Sequence, residues 1–450
     1  MRLAILGGGG FRVPLVYQAL LSDTADRRVD EVVLYDVDAD RVAAVDHVLR
    51  GMADETSGAV RVRTEAVLDD ALAGADVVFS AMRVGGAAGR VADERVALDL
   101  GLLGQETTGA GGLAYGLRTV PVARHVAARI AAVCPQAWVV NFTNPVGMIT
   151  EAMQAVLGDR VVGVCDTPVG LAAGAVRALG ADPARTAVEY VGLNHLGWLR
   201  GLRVDGVDAL PRLLADDAAL ARTEEGRLFG ADWLRALGAI PNEYLYYYYF
   251  TREAVATLRA GGDTRGEFLA RQQDAFYAAA NARPAEALAT WRRARAERDA
   301  TYMAENRESA GAGERSADDI AAGGYEGVAL ALVAAVARNE PATLILNVRN
   351  GSAVPGLPAD AVVEVACHVD ANGPRPLATH PLPPASLGLV QQVKGVERLT
   401  IEAATTGSYA TALAAFAQHP LVDSVAAARA LLAGYTRRIP ALAAVFTARP

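Results

Sequence analysis

Short apolar runs alternate with longer mixed stretches through the first third of the chain. Leu3-Ala4-Ile5-Leu6 runs into glycine, and Glu31-Val32-Val33-Leu34-Tyr35 stops at Asp36. Asp76-Val77-Val78-Phe79-Ser80, Trp138-Val139-Val140-Asn141 and Val161-Val162-Gly163-Val164-Cys165 follow. Runs this short predict buried strands. Val13 to Leu21 and Asp40 to Met52, lying between strands, read as helices. This alternation predicts an α/β fold, a Rossmann-type doubly wound parallel sheet over residues 1–168.

The pattern changes near residue 170. Ala/Arg/Glu-rich helices are expected at about 265–305 and 317–337, strands and turns across 341–380, and helices from 397 to 445. There is no low-complexity linker. Residues 169–450 are therefore expected to form a closely packed C-terminal α+β domain for substrate binding and oligomerisation. A chain of 450 residues, 52% of them hydrophobic, is long enough for two such units. The net charge of −8 argues against a nucleic-acid partner, which needs a basic face. Three cysteines (Cys134, Cys165 and Cys367) suit a reduced compartment, not a disulfide framework. No apolar stretch has the length of a signal-peptide core or a membrane span. A cytoplasmic enzyme with no membrane partner is the expectation.

Gly7-Gly8-Gly9-Gly10 lies between the first strand and the first helix, and Asp36 ends the second strand. Glycine lets the backbone approach a pyrophosphate at a helix N-terminus, and the acid binds ribose hydroxyls, favouring NAD over NADP. The third glycine of the usual fingerprint is replaced by Arg12. The expected cofactor set is Gly7, Gly8, Gly9, Gly10, Phe11, Arg12, Asp36, Arg41 and Asn141.

Four further segments stand at strand ends or in loops: Gly104-Gln105-Glu106-Thr107-Thr108-Gly109, Asn141-Phe142-Thr143-Asn144-Pro145, Cys165-Asp166-Thr167-Pro168 and Asn194-His195. A thiolate and an imidazole form a partial metal-ligand set, although singly a cysteine or histidine is more often plain core. Glu106 and Asp166 are candidate acids, and Arg83, Arg90 and Arg265 suit a tetrahedral anion. Tyr244 leads into Tyr246-Tyr247-Tyr248-Tyr249, dense for a chain with 6% aromatics. Most of these rings are expected in core or an interface, but a tyrosine beside a cation can act as a base.

In this order the segments resemble glycoside hydrolase family 4, over nearly the whole chain. The likeness runs from the glycine loop and Leu34-Tyr35-Asp36 through Arg83-Val84-Gly85-Gly86, Gly104-Gln105-Glu106-Thr107 and Asn144-Pro145. It continues to Cys165-Asp166, Gly192-Leu193-Asn194-His195, Tyr244-Leu245, Leu357-Pro358 and Val363-Glu364. The resemblance implies NAD as cofactor and a phosphorylated glycoside as substrate. It implies manganese, or another divalent metal, on Cys165 and His195. Tyr244 would be the base, with Asp166 and Glu106 supplying or assisting the acid. Arg90 and Asn144 would contact the sugar and Arg265 its phosphate, in a homodimer or homotetramer. The glycine loop departs from the family at Phe11-Arg12-Val13. Cys165-Asp166 looks like the 6-phospho-α-glucosidases, and Tyr244-Leu245-Tyr246-Tyr247 leans to the β-enzymes. A lactate- or malate-type dehydrogenase is the competing class; it needs a His–Asp pair and an arginine.

Overall fold

The computed structural model describes residues 1–56, 60–313 and 324–447. Among these, thirteen strands join in a single sheet. Six form the parallel half: β1 (Arg2–Leu6), β2 (Glu31–Tyr35), β3 (Arg61–Glu65), β4 (Val77–Ser80), β5 (Trp138–Asn141) and β6 (Val161–Gly163). Their order, β3-β2-β1-β4-β5-β6, is that of dinucleotide-binding sheets. β1, β4 and β5 are almost wholly buried, as their unbroken apolar runs require. The strand expected to reach Cys165 stops at Gly163, which frees Val164, Cys165 and Asp166 to turn into the cleft.

The sheet is not parallel throughout. β7 (Thr186–Leu193), β8 (Leu196–Val204), β9 (Val207–Asp208), β10 (Ile240–Pro241), β11 (Ala342–Arg349), β12 (Val362–Asp370) and β13 (Gly373–Pro376) extend it in antiparallel pairings. The join is β11 against β6, through Asn347 and Gly163. Registers Gly163↔Asn347, Asn347↔Glu364 and Glu364↔Gly192 then run in one row across β6, β11, β12 and β7. All three pairings are antiparallel, so β7 runs opposite to β6. The row sets its residues on one face of the sheet, and beside it Cys165, two residues past Gly163, meets His195 of the β7–β8 turn.

Helices Arg265–Ala282 and Ala287–Ala300 replace the single run expected at 265–305, broken at Pro284, which cannot continue a helix. They fold back over the first unit. Tyr277 donates to the Gly9 carbonyl at 2.7 Å, and the Trp291 indole donates to the Phe11 carbonyl at 2.8 Å. The two helices thus become a wall of the nucleotide loop. The helix expected at 317–337 is seen as Tyr325–Arg338, and its first residues lie outside the described ones. The tail is helical from Pro384. Among the described residues no helix is long and apolar enough to cross a membrane.

Candidate active site

One cleft opens at the C-terminal edge of the parallel strands. After β1 the chain turns sharply. Gly7 and Gly8 both donate to the Tyr35 carbonyl, at 2.9 and 2.8 Å. Gly7 has φ +85°, and a Cβ there would lie 2.5 Å from the Ala81 carbonyl oxygen. Only glycine fits. Asp36 braces the loop from β2 by accepting the Gly9 N–H at 3.1 Å. The Phe11 N–H has no acceptor among the described residues and stands just before helix Val13–Ser22. An open loop amide at a helix start, with an acid at the end of β2, fits a dinucleotide. Gly10, Phe11, Arg12 and Arg41 line the cleft; Gly7, Gly8, Gly9 and Asp36 shape the loop behind it.

Asn141 does not reach the cleft. It is fully buried, and its side chain is spent on Thr143, Val146 and Thr150. Its task is to shape the turn that presents Asn144. The Asn144 Oδ1 is buried with no partner among the described residues, an acceptor left for a ligand hydroxyl.

Cys165 Sγ lies 3.6 Å from His195 Nε2. An ion about 2.3 Å from sulfur and about 2.1 Å from nitrogen, at a tetrahedral angle, separates such donors by about 3.6 Å. The pair therefore fits one divalent ion. No third His, Cys, Asp or Glu completes a cluster among the described residues. The ring is aimed by Thr107 Oγ1, 3.1 Å from Nδ1. Burial lowers the His195 pKa to about 4, so the imidazole is neutral and can donate a lone pair. His195 has φ +100°, and the strained turn is held by Glu364, which accepts from Asn194 at 3.2 Å and Asn347 at 2.8 Å. Burial raises the Cys165 thiol well above its ordinary value, with Glu364 and Asp166 adding, so a thiolate there needs a cation.

Tyr244 stacks flat on His195, with ring centroids 3.7 Å apart and planes 5° apart. β10 pairs with β8 as far as Pro241, three residues before, and Asn242 receives the Tyr244 N–H at 3.0 Å. Asn242 also donates to Thr167 Oγ1 at 2.8 Å, and Thr167 lies 3.4 Å from Cys165 Sγ. Thr167 thus ties the tyrosine turn to the cysteine. Of the neighbouring rings Tyr247 also lines the cleft, while Tyr246 and Tyr249 behave as core. Tyr246 bonds Ser309, and Tyr249 accepts from Trp198.

The acids divide. Glu106 pairs with Arg83 at 2.5 Å and Arg90 at 2.7 Å. Burial would raise its pKa, but the two guanidiniums outweigh burial and bring it to about 2. Glu106 is a fixed carboxylate at neutral pH and has no proton to supply, which corrects that part of its expected role. Asp166, the N-cap residue of helix Thr167–Ala178, pairs with Arg12 at 3.2 Å. Arg265 reaches the cleft and donates to Thr301 Oγ1 and the Arg298 carbonyl at 2.7 and 2.9 Å. Sequence reasoning missed Arg298 and Tyr302, which belong to no motif and meet the site only through the returning helices.

Behind the arginines, Arg118 and Asp93 form a fully buried bidentate pair at 2.8 and 2.6 Å. Arg118 also donates to the Val84 carbonyl, pinning the loop that carries Arg83. Asp93→Asn is expected to cost roughly 3–5 kcal/mol, because it strands a buried charge. Urea unfolding measures this, and a loss below about 1 kcal/mol would show that the pair does not hold the loop.

A profile described as "Family 4 glycosyl hydrolase" matches residues 2–181, and its C-terminal domain profile matches residues 190–422. The chain belongs to glycosyl hydrolase family 4. The probable 6-phospho-beta-glucosidase of Bacillus subtilis is 31% identical, over 96% of this chain and 95% of that one. The 6-phospho-beta glucosidase of Thermotoga maritima, solved with manganese, NAD+ and glucose-6-phosphate, superposes with TM-score 0.81 at 27% identity, covering 97% of this chain and 98% of that one. A 6-phospho-alpha-glucosidase from gut microorganisms, solved with NAD and Mn2+, follows at 0.79 and 25%, covering 97% of each chain. Malate dehydrogenase from Plasmodium falciparum shares the fold alone, at 12% identity over 90% of this chain and 98% of that one, with TM-score 0.50. In this family 4 chain His195 Nδ1 meets a threonine, not the carboxylate a dehydrogenase of that type needs.

Proposed function

We propose that the protein is a 6-phospho-glycosidase that cleaves a phosphorylated glucoside with NAD and manganese, or another divalent ion, as cofactors. The observation that carries this reading is the Cys165–His195 donor pair lying under the Tyr244 ring, in the cleft that also holds the end of the glycine loop. The reaction class is oxidation at the sugar's C3 by hydride transfer to NAD, proton removal at C2, elimination of the aglycone, addition of water across the C1–C2 double bond and return of the hydride to C3, so that the net change is hydrolysis. Bound in the cleft, nicotinamide supplies reversible hydride transfer and the divalent ion supplies Lewis acidity.

The chain's own residues do the rest. The stack on His195 sets the Tyr244 hydroxyl beside the donor pair, where it takes the C2 proton. Burial raises this hydroxyl's pKa, with Glu243 adding, so it depends on a nearby cation to work as a base. Tyr302, 3.2 Å from the Tyr244 oxygen, holds it in place. Asp166 is held through Oδ2 by Arg12, leaving Oδ1 to exchange a proton with the leaving oxygen. Asn144 Oδ1 orients a sugar hydroxyl, and Arg90 is positioned beside the sugar by Glu106 and Glu94. In this reading residues 1–168 carry the cofactor and residues 169–450 complete the substrate site. A homodimer or homotetramer in the cytoplasm belongs to the same reading.

The β-anomer is placed first, in line with the name of the 31%-identical Bacillus relative. The test is incubation with the nitrophenyl 6-phospho-β- and α-glucosides, each with and without NAD and Mn2+. Nitrophenol release from the β-anomer that needs both additions, with no net NADH, is expected. Release from neither anomer sinks the phosphoglucoside reading, and stoichiometric NADH would favour a dehydrogenase.

A further inference from the structure

We propose that Arg298, a residue of no motif, is the group that grips the anionic substituent of the substrate. This rests on the phosphoglycoside reading and adds a specificity residue to it. Six arginines line the cleft, and five are already engaged by the protein. Arg41 reaches Asp38 at 3.5 Å and lies over the Tyr277 ring, 4.6 Å from its centroid. Arg12 is paired with Asp166, Arg83 with Glu106, and Arg90 with both Glu94 and Glu106. Arg265 directs its two terminal nitrogens at Thr301 and the Arg298 carbonyl. That bonding makes Arg265 a brace for the last turn of helix Ala287–Ala300, on which Arg298 sits.

The Arg298 side chain donates to no acceptor among the described residues. Its one packing contact of note is the Phe11 ring, 5.6 Å from the guanidinium carbon. Burial and the charges of Arg12, Arg90, Arg265 and Arg83 oppose its own charge, lowering its pKa to about 9. Glu106 is the carboxylate that feels it, but Glu106 is held by Arg83 and Arg90. A planar fork of donors with no acceptor, in a wall of like charge, is costly unless an anion arrives. A tetrahedral dianion satisfies the fork bidentately and relieves the repulsion. The substrate side is favoured over the dinucleotide because Arg298 meets the glycine loop through the Phe11 ring and not through its amides. Its neighbours Arg12 and Arg90 hold Asp166 and Glu106, on the sugar side of the cleft.

The test is calorimetric titration of wild type and Arg298→Gln with glucose 6-phosphate, glucose and NAD. Losing one charge-assisted contact is expected to weaken glucose 6-phosphate by about 10- to 100-fold. Glucose and NAD should stay within about twofold, and Arg298→Lys should fall between. The melting temperature should not drop, since no protein bond is lost. Unchanged affinity for glucose 6-phosphate overturns the proposal. So does a loss confined to NAD, or a loss on all three ligands with a lowered melting temperature, which marks a structural residue. If wild type binds glucose 6-phosphate no better than glucose, the phosphoglycoside reading fails instead. The same two proteins titrated with 6-deoxy-6-sulfoglucose then decide Arg298, and equal affinities overturn it.

Discussion

Tyr244→Phe is expected to lower turnover of a phosphorylated glucoside by roughly 10²- to 10⁴-fold, the usual worth of a positioned general base. Binding of NAD should stay within about twofold, because the ring, and not the hydroxyl, packs on His195. The stack at 3.7 Å survives the change, and the turn is held by the Tyr244 backbone N–H on Asn242. The second readout is exchange of the substrate's C2 hydrogen with deuterated water. Wild type should catalyse exchange and the variant should not. Wild-type exchange in Tyr244→Phe would move the base to Tyr302, whose oxygen is 3.2 Å away.

Cys165→Ser is expected to weaken Mn2+ binding by at least about 100-fold, since groups that merely support metal ligands are worth about 10- to 100-fold. Among the described residues two metal-ligating donors face each other here, at 3.6 Å, so losing one removes half of that hold. Chelation of wild type should abolish turnover and added Mn2+ should restore it. The serine variant should recover only partly, at higher metal. Calorimetric titration with Mn2+ separates lost binding from lost chemistry. Full activity after chelation would remove the metal from the reading, and unchanged Mn2+ affinity would return Cys165 to the core beside Cys134 and Cys367.

Much of the nucleotide half was legible along the chain. Runs such as Val32-Val33-Leu34 and Val77-Val78-Phe79 are buried on both faces and so carry their own signature. Gly7 announces a turn that admits no side chain. Asn141 misled, because its amide satisfies the backbone of its own turn, a use that a residue type at a strand end does not reveal. Glu106 misled differently. A carboxylate's readiness to give a proton depends on its charged neighbours, and Arg83 and Arg90 lie 23 and 16 positions away in sequence.

The sequence by itself determined the alternating strands and helices, the glycine turn, and the presence of a thiol, an imidazole and a tyrosine able to serve one chemistry. Those are properties of residue type and local spacing, which follow from sterics, burial and side-chain chemistry. Tertiary structure alone decided that they meet. The row through Asn347 and Glu364 links β6 to β7 across four strands, and His195 comes to within 3.6 Å of Cys165. The returning helices carry Arg298 and Tyr302 to a cleft that their own sequence does not mention. Hydrogen-bond register and packing act between residues remote in the chain, so only the folded sheet could set those distances.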